Sequence, residues 1–497
     1  MILSKYISVA TIAVLLLFVG CKKLTDININ SNESEVTHPQ SLLPKIEWEA
    51  FRTWRGTDPL YALKMIVRTD GEHAYQIYTW QRGTFSQYQH LRNITKMEEE
   101  ATKIASQGYI ALAKFFRAYY FYNLTLTFGD IPYTEAAKGE SLGIFNPKYD
   151  SQKEVFVGIL QELEEASAIL KSNADDIIGD IIYEGSVSRW DKLVNSFRLK
   201  VLITLVDRTN DFPFSIAEEF ARIVAQENII NAINGSEDGQ LFFLNQEDNR
   251  YPEFNANNYS SSMYMDSTFI QHFQDLRDPR LFAIANQTRV GKEEGKAEND
   301  FSSYEGGDPI VPYTLVNQKA VRGQLSKVRE RYYEDPTAEP LVLLGYSELQ
   351  FIIAEAIWRG WLVGDMKQHY DNGIRSSFQF YEKYAKNMSN YFTENQVVLY
   401  LSQNNVSFNL ASTSTDQLER IIIQKYLRSF HQGGFSAYFD HLRTGYPSLR
   451  KANNVQVAYR WMYPLDEYNN NTEQVAIAIQ SQFDGNDAIH IKPWWIN

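Results

Sequence analysis

Cysteine is almost missing from this chain: its 497 residues include one, Cys21, which excludes an intrachain disulfide, a multi-cysteine zinc site and a CxxC redox pair. Histidine is scarce as well. The eight present are scattered, with no pair at four-residue helical spacing to grip a metal. A GxSxG elbow, an HExxH helix, a P-loop and a GxGxxG turn are all lacking. So is any dense block of Lys and Arg. With 61 acidic against 48 basic side chains and a formal net charge of -13 at pH 7, the chain repels a phosphate backbone and offers few counterion-releasing contacts. Nucleic acid is thereby excluded as a partner. The apolar run from Val9 to Val19, broken only by Thr11, is too short to cross a bilayer.

What is present is the composition of a folded protein, 44% hydrophobic and 22% charged, long enough to bury a large core in one or two intimately packed domains. Lys5, the apolar run and the small Gly20 read as a secretion signal. Phe18-Val19-Gly20-Cys21 resembles a bacterial lipobox, with Phe18 where Leu is more usual. The expectation is a signal peptide over residues 1–20, an acylated Cys21, a polar tether over 21–38 and a folded domain over 39–497. Acyl chains contribute about 0.8 kcal/mol per buried methylene, which holds a protein at a membrane without a spanning helix.

Beyond the tether the recurrent pattern is helical. Apolar residues at mixed three- and four-residue spacings predict a helix from Tyr109 to Phe128, buried over much of its circumference and stopped by Gly129-Asp130-Ile131-Pro132. Further helices are predicted from about Gln152 to Leu170, with Glu162, Glu164 and Glu165 facing water, and from Arg189 to Val206, Gly345 to Arg359 and Lys367 to Tyr384. Paired helices of this kind suggest tetratricopeptide-like units, each too small to bury its own apolar face. The fold class is therefore mainly α, with helix pairs supporting an irregular, loop-rich face. Residues 235–327, rich in Asn, Asp, Gly, Ser and Tyr, read as a loop-rich insertion.

The aromatics Phe115, Phe116, Tyr119, Tyr120 and Tyr122 read as helix core. A ligand signal lies earlier. In Tyr75-Gln76-Ile77-Tyr78-Thr79-Trp80-Gln81-Arg82, flat rings alternate with amide and guanidinium donors, matching a sugar's apolar C–H face and hydroxyl rim, and serving a peptide equally well. The acidic runs Glu98-Glu99-Glu100 and Glu162, Glu164, Glu165 read as solvated helix faces rather than a glycosidase pair. Asp275, Asp278 and Pro279 read as a turn. A calcium held by Asp300 or Asp308 has no supporting pattern, and no cofactor is expected.

Longer motifs then converge. Ala113-Lys114-Phe115-Phe116-Arg117-Ala118-Tyr119-Tyr120-Phe121-Tyr122 running to Phe128-Gly129-Asp130-Ile131-Pro132-Tyr133 comes first. Tyr346-Ser347-Glu348-Leu349-Gln350-Phe351 through Ala354-Glu355-Ala356 follows, then Ile422-Ile423-Gln424-Lys425-Tyr426, Phe439-Asp440-His441-Leu442-Arg443-Thr444-Gly445-Tyr446-Pro447, and Arg460-Trp461-Met462-Tyr463-Pro464. Together they resemble, in order, the motifs of the SusD/RagB family of nutrient-binding lipoproteins; Leu442 stands where an Arg is common. The resemblance implies a lipid-anchored outer-membrane protein facing the cell exterior, lying over a SusC-like TonB-dependent barrel. It implies capture of oligosaccharides or peptides without catalysis. It also implies a ligand site built from the early aromatic segment and the insertion, which adds Asn255, Asn258, Tyr259, Tyr264 and Tyr304 to Tyr75, Tyr78, Trp80 and Arg82. A glycoside hydrolase, or a helical scaffold with no soluble ligand, are the rival readings.

Overall fold

The computed structural model describes residues 38–496 apart from positions 54, 173, 411 and 412. The signal peptide, Cys21 and nearly all of the tether lie outside them. Residues Pro39–Asn497 form one unit. Its principal helices are α1 (Pro39–Arg52), α2 (Gln87–Lys103), α3 (Gln107–Phe128), α4 (Gln152–Ser172), α5 (Val187–Thr204), α6 (Tyr346–Trp358), α7 (Met366–Tyr384), α8 (Ser414–Leu427), α9 (Ser436–Thr444) and α10 (Thr472–Phe483). Four short strands complete the frame: β1 (Ile66–Arg68), β2 (Gln240–Leu241), β3 (Met263–Met265) and β4 (Leu341–Val342).

The helices pack as the periodicity requires. α3 lies against α2 and α4, α4 against α5, and α6 against α7 and α8; α5 touches α6 and so joins the early helices to the late ones. α3 is buried almost all round, and Phe115 and Phe116 each meet Trp190 of α5 edge to face, with ring centres 5.7 Å apart. Each such ring contributes roughly 1.5–3 kcal/mol by leaving water. The amide of Gly108 and the hydroxyl of Ser106, at the start of α3, donate to Asp175 at 2.9 and 2.6 Å, satisfying groups that a helix start leaves open. The helix ends at Gly129, whose φ of 96° suits glycine alone. Glu162 departs from its predicted water-facing role: it is half-buried, accepting from Arg117 Nε at 2.9 Å and the Tyr133 hydroxyl at 2.8 Å.

Segment 235–327 is less loose than its composition suggests. It carries the helices Ser267–Asp275, Arg280–Ile284 and Tyr313–Val321. β3 pairs antiparallel with β1, setting Val67 opposite Tyr264, so the insertion is tied to the early segment. β2 pairs with β4. The predicted turn at Asp278 exists, but its carboxylate is fully buried, held by Arg280 Nε at 3.0 Å and the Tyr400 hydroxyl at 2.8 Å.

A larger set of buried charges lies where α5, α6, α8 and α9 meet. Glu348 of α6 is 3.0 Å from Lys200 and 3.2 Å from Arg428. Lys425 reaches Asp440 at 2.7 Å, and Asp440 reaches Arg443 at 2.7 Å. Arg443 closes the chain by donating to Glu355 at 2.7 Å, and Glu355 also holds Arg359 at 2.8 Å. Glu348 and Glu355 are seven residues apart on one helix, and so share a face.

Candidate functional site

The segment from Tyr75 to Arg82 is pinned to the Arg460–Tyr463 stretch. Gly83 N donates to Met462 O and Met462 N to Gln81 O, both at 3.0 Å. A Cβ at Gly83 would lie 2.6 Å from Phe128 Cζ, so the close approach of backbone to ring requires glycine. Trp80 donates its indole N–H to Arg460 O at 3.2 Å and stacks on Trp461 at 5.1 Å. Tyr75 lies over Trp80 at 4.8 Å, with its hydroxyl receiving the Trp461 indole N–H at 3.1 Å.

This arrangement forms the floor of a cleft of about 630 Å³ lined by Tyr75, Arg82 and Trp461. The end of α1 adds Glu49, Arg52, Thr53 and Arg55; the start of α2 adds Ser86, Gln87 and His90; the insertion adds Pro252 and Glu253. Arg82 is fixed by Tyr463 O at 2.6 Å and Asp487 Oδ2 at 3.3 Å, and its guanidinium lies 4.5 Å over the Tyr468 ring. Arg52 lies 4.9 Å over Trp48. Arg55 donates through Nη2 to Val342 O at 2.8 Å, and burial lowers its pKa. Burial raises the Glu253 carboxyl, against the Tyr259 hydroxyl that donates to it at 2.9 Å. His90, stacked on Tyr120 at 5.1 Å, is pushed down by burial and so stays neutral.

Of the residues expected to touch ligand, Tyr75 and Arg82 line this cleft. Several others do not fit the role as first drawn. Trp80 is 4% exposed and Tyr78 1%: Trp80 lies under Tyr75 and Trp461, and Tyr78 donates to Ala62 O at 2.9 Å with Lys64 over its ring at 4.1 Å. They support the floor and cannot themselves present a face. Tyr259 is fully buried, stacked on Tyr333 at 5.6 Å, and reaches the cleft only through Glu253. Tyr264 is buried in a small separate core with Val67, Val316 and Leu325. Tyr304, 3% exposed, packs on Phe282 at 5.7 Å and donates to Glu298 O. Asn255 and Asn258 are exposed but do not line the cleft. Sequence reasoning missed Arg52, Arg55, His90 and Glu253. The three-residue spacing of Arg52 and Arg55 at a helix end was the one available signal.

A second groove of about 760 Å³ lies beside Ser267–Asp275, lined by His272, Glu305, Asp308, Lys319 and Arg450. Its one Phe, Tyr or Trp side chain, Tyr304, is 3% exposed, so the groove has no such ring to present. Asp308 is held bidentate by Arg450 at 2.9 and 2.6 Å, and Asp300 accepts from Ser302 N at 2.9 Å. Both acids considered for calcium are thus engaged by protein donors. Among the described residues no group of three or more His, Cys, Asp or Glu side chains is placed to hold a metal. Among the same residues no helix is long and apolar enough to cross a membrane.

Residues 32–464 match the SusD-like family described as "Starch-binding associating with outer membrane". A SusD homologue from Bacteroides fragilis superposes with a TM-score of 0.87 at 49% identity, covering 92% of this chain and 99% of that one. An outer membrane protein from Bacteroides vulgatus superposes with a TM-score of 0.89 at 48% identity, covering 93% and 100%. A chitin-binding SusD homologue from Flavobacterium johnsoniae shares the fold, with a TM-score of 0.69 at 18% identity over 92% and 96%. Curated proteins returned no match. The early aromatic segment, the paired helices and the closing Arg460–Tyr463 stretch are therefore parts of one known architecture, and the chain belongs to the SusD-like family of outer-membrane-associated nutrient-binding proteins.

Proposed function

We propose that this protein captures oligosaccharides in the cleft floored by Tyr75 and delivers them, uncleaved, to a SusC-like TonB-dependent barrel. The acylated Cys21 anchors it to the outer membrane, facing the cell exterior. The observation that carries the reading is the cleft: a half-buried Tyr75 ring backed by Trp80 and Trp461, walled by both donors and acceptors. A sugar needs that combination, because its C–H face packs on a ring while each hydroxyl both gives and accepts a hydrogen bond. Three arginines and three carboxylates line the walls, a balance that suits a neutral polyhydroxyl ligand better than one strong charge. The chitin-binding relative shares the fold, which makes sugar polymers the first class to try.

The test is calorimetry against a panel of oligosaccharides and peptides, with wild type and Tyr75→Ala. Loss of the half-exposed ring should weaken binding about 10-fold or more, roughly 1–3 kcal/mol, with the melting temperature little changed. Unchanged affinity for every bound glycan removes Tyr75 from the site; binding confined to peptides replaces the sugar reading. Product release from any bound oligosaccharide shows an enzyme instead.

A further inference from the structure

Directly behind the cleft lies a small inner chamber of about 30 Å³, sharing Thr53 and Arg55 with it. At roughly 10–15 Å³ per water-sized sphere, it has room for about two or three waters or one halide-sized ion, and none for a sugar or a peptide. The side chains around it are one-sided in chemistry. Arg55, Lys200 and Asn123 line it, with the hydroxyl-bearing Tyr119, Tyr122 and Ser436, and no carboxylate does. Arg55 Nη1 is buried and has no hydrogen-bond partner, and Asn123 Nδ2, also buried, makes no bond of good geometry and has only the Tyr119 hydroxyl beside it. Asn123 is 6% exposed and Lys200 7%. The Lys200 ammonium carries three N–H groups, and Glu348 lies against it on the far side at 3.0 Å.

An unpaired donor in a buried place costs about 1–3 kcal/mol, and a buried cation is stable only when matched. Glu348 pairs with Lys200 and also acts on Arg55, but the surrounding network has more cations than carboxylates. Its carboxylates Glu348, Glu355 and Asp440 are shared among Lys200, Lys425, Arg428, Arg443 and Arg359, while Asp238 and Asp207 act on Arg428 and Arg359 at its outer edges. Arg55 and Lys200 are the cations left facing the chamber. A water accepts from Arg55 Nη1 and Asn123 Nδ2 but brings no charge; a halide does both.

We propose that the chamber binds one small monovalent anion, chloride under ordinary salt conditions, between Arg55, Asn123 and Lys200. The ion holds the Arg55 guanidinium where it forms the inner wall of the cleft. The experiment uses the mature chain. Crystals grown in concentrated sodium bromide are measured at the bromine edge, and thermal melting is followed in sodium chloride against sodium gluconate at equal ionic strength. The expected results are an anomalous peak within the chamber and a melting temperature higher in chloride by about 1–2 °C. Asn123→Asp places a built-in anion at the same point, and should abolish the chloride dependence. No bromine peak in the chamber overturns the proposal whatever the melting shows. A peak without chloride-dependent melting means binding at crystal concentration only, and overturns it too. So does a chloride dependence that survives in a folded N123D. Where N123D does not fold, the bromine peak and the wild-type melting decide together.

Discussion

Replacing Glu348 by Gln removes the carboxylate at the centre of the buried ionic network while leaving its shape. Burial alone raises this group's pKa, but Lys200, Lys425 and Arg428 outweigh that and hold it at about 2, against 4.5 when unperturbed. A depression of that size corresponds to about 3 kcal/mol favouring the ionised form in the folded state. The sign follows: for a depressed carboxylate, stability is present above the unfolded pKa and is lost as pH falls from about 4.5 to 2. At pH 7 the E348Q protein keeps three buried cations with one partner fewer, a situation that costs about 3–5 kcal/mol. For a unit of about 460 residues this lowers the melting temperature by roughly 3–5 °C. The control is Glu49→Gln, which breaks the exposed pair with Lys45 and should cost under about 1 kcal/mol. Denaturant titration of both variants at pH 7 and pH 4 is the assay, with E348Q closer to wild type at the lower pH. Equal, small losses for E348Q and E49Q at pH 7 would refute the view that the network is closed by this one group.

Trp80→Ala opens a cavity beneath Tyr75 and should cost about 3–5 kcal/mol of stability; an unchanged unfolding midpoint would show that the ring is not part of the floor. His431, buried against Tyr332 and near Arg331 and Arg55, has its pKa lowered to about 3, chiefly by burial. A lowered histidine pKa means the unfolded chain takes up the proton first, so stability falls as pH drops below 6.5. His431→Gln should therefore lose about 2 kcal/mol less than wild type between pH 6.5 and 5, read from denaturant midpoints; parallel pH profiles would count against a neutral buried imidazole. Cys21→Ala should leave the protein unacylated and release it from membranes on fractionation, whereas persistent membrane association would contradict the anchor.

Helices were legible wherever burial imposed a period. α3, α4, α5, α6 and α7 all lie within a few residues of their predicted spans, because a stripe of Leu, Phe and Ile at three and four spacings has no other stable use in water. The insertion's order was not legible, since β1 and β3 are three residues each and meet across nearly two hundred positions, a pairing no local pattern announces. The burial of Tyr78, Trp80, Tyr259, Tyr264 and Tyr304 was illegible for a related reason. The alternation from Tyr75 to Arg82 places Tyr75 and Arg82 along the cleft, but which ring faces solvent is decided by Trp461 and Tyr438, which arrive from the far end of the chain to cover Trp80.

The motifs that marked the family acquire a physical meaning in the fold. Glu348 and Glu355, Lys425, and Asp440 and Arg443 lie in three separate motifs, yet they are one ionic cluster holding α6, α8 and α9 together. A cluster of this kind adds little net stability over an apolar core, but it penalises every misaligned packing heavily. Arg460 does the same at the cleft floor, where its guanidinium donates to Asp487 Oδ1 at 2.6 Å and to Phe128 O at 3.2 Å while its carbonyl receives Trp80. Ring positions in the cleft are thus set by backbone bonds and stacking onto the Arg460–Tyr463 stretch, which the buried Arg460–Asp487 pair in turn holds in place. Arg55 is where the two arrangements meet, since it feels Glu348 and Arg428 from one side and forms the cleft wall on the other. A change in charge within the network should accordingly be felt in ligand affinity even when no residue touching the ligand has been altered.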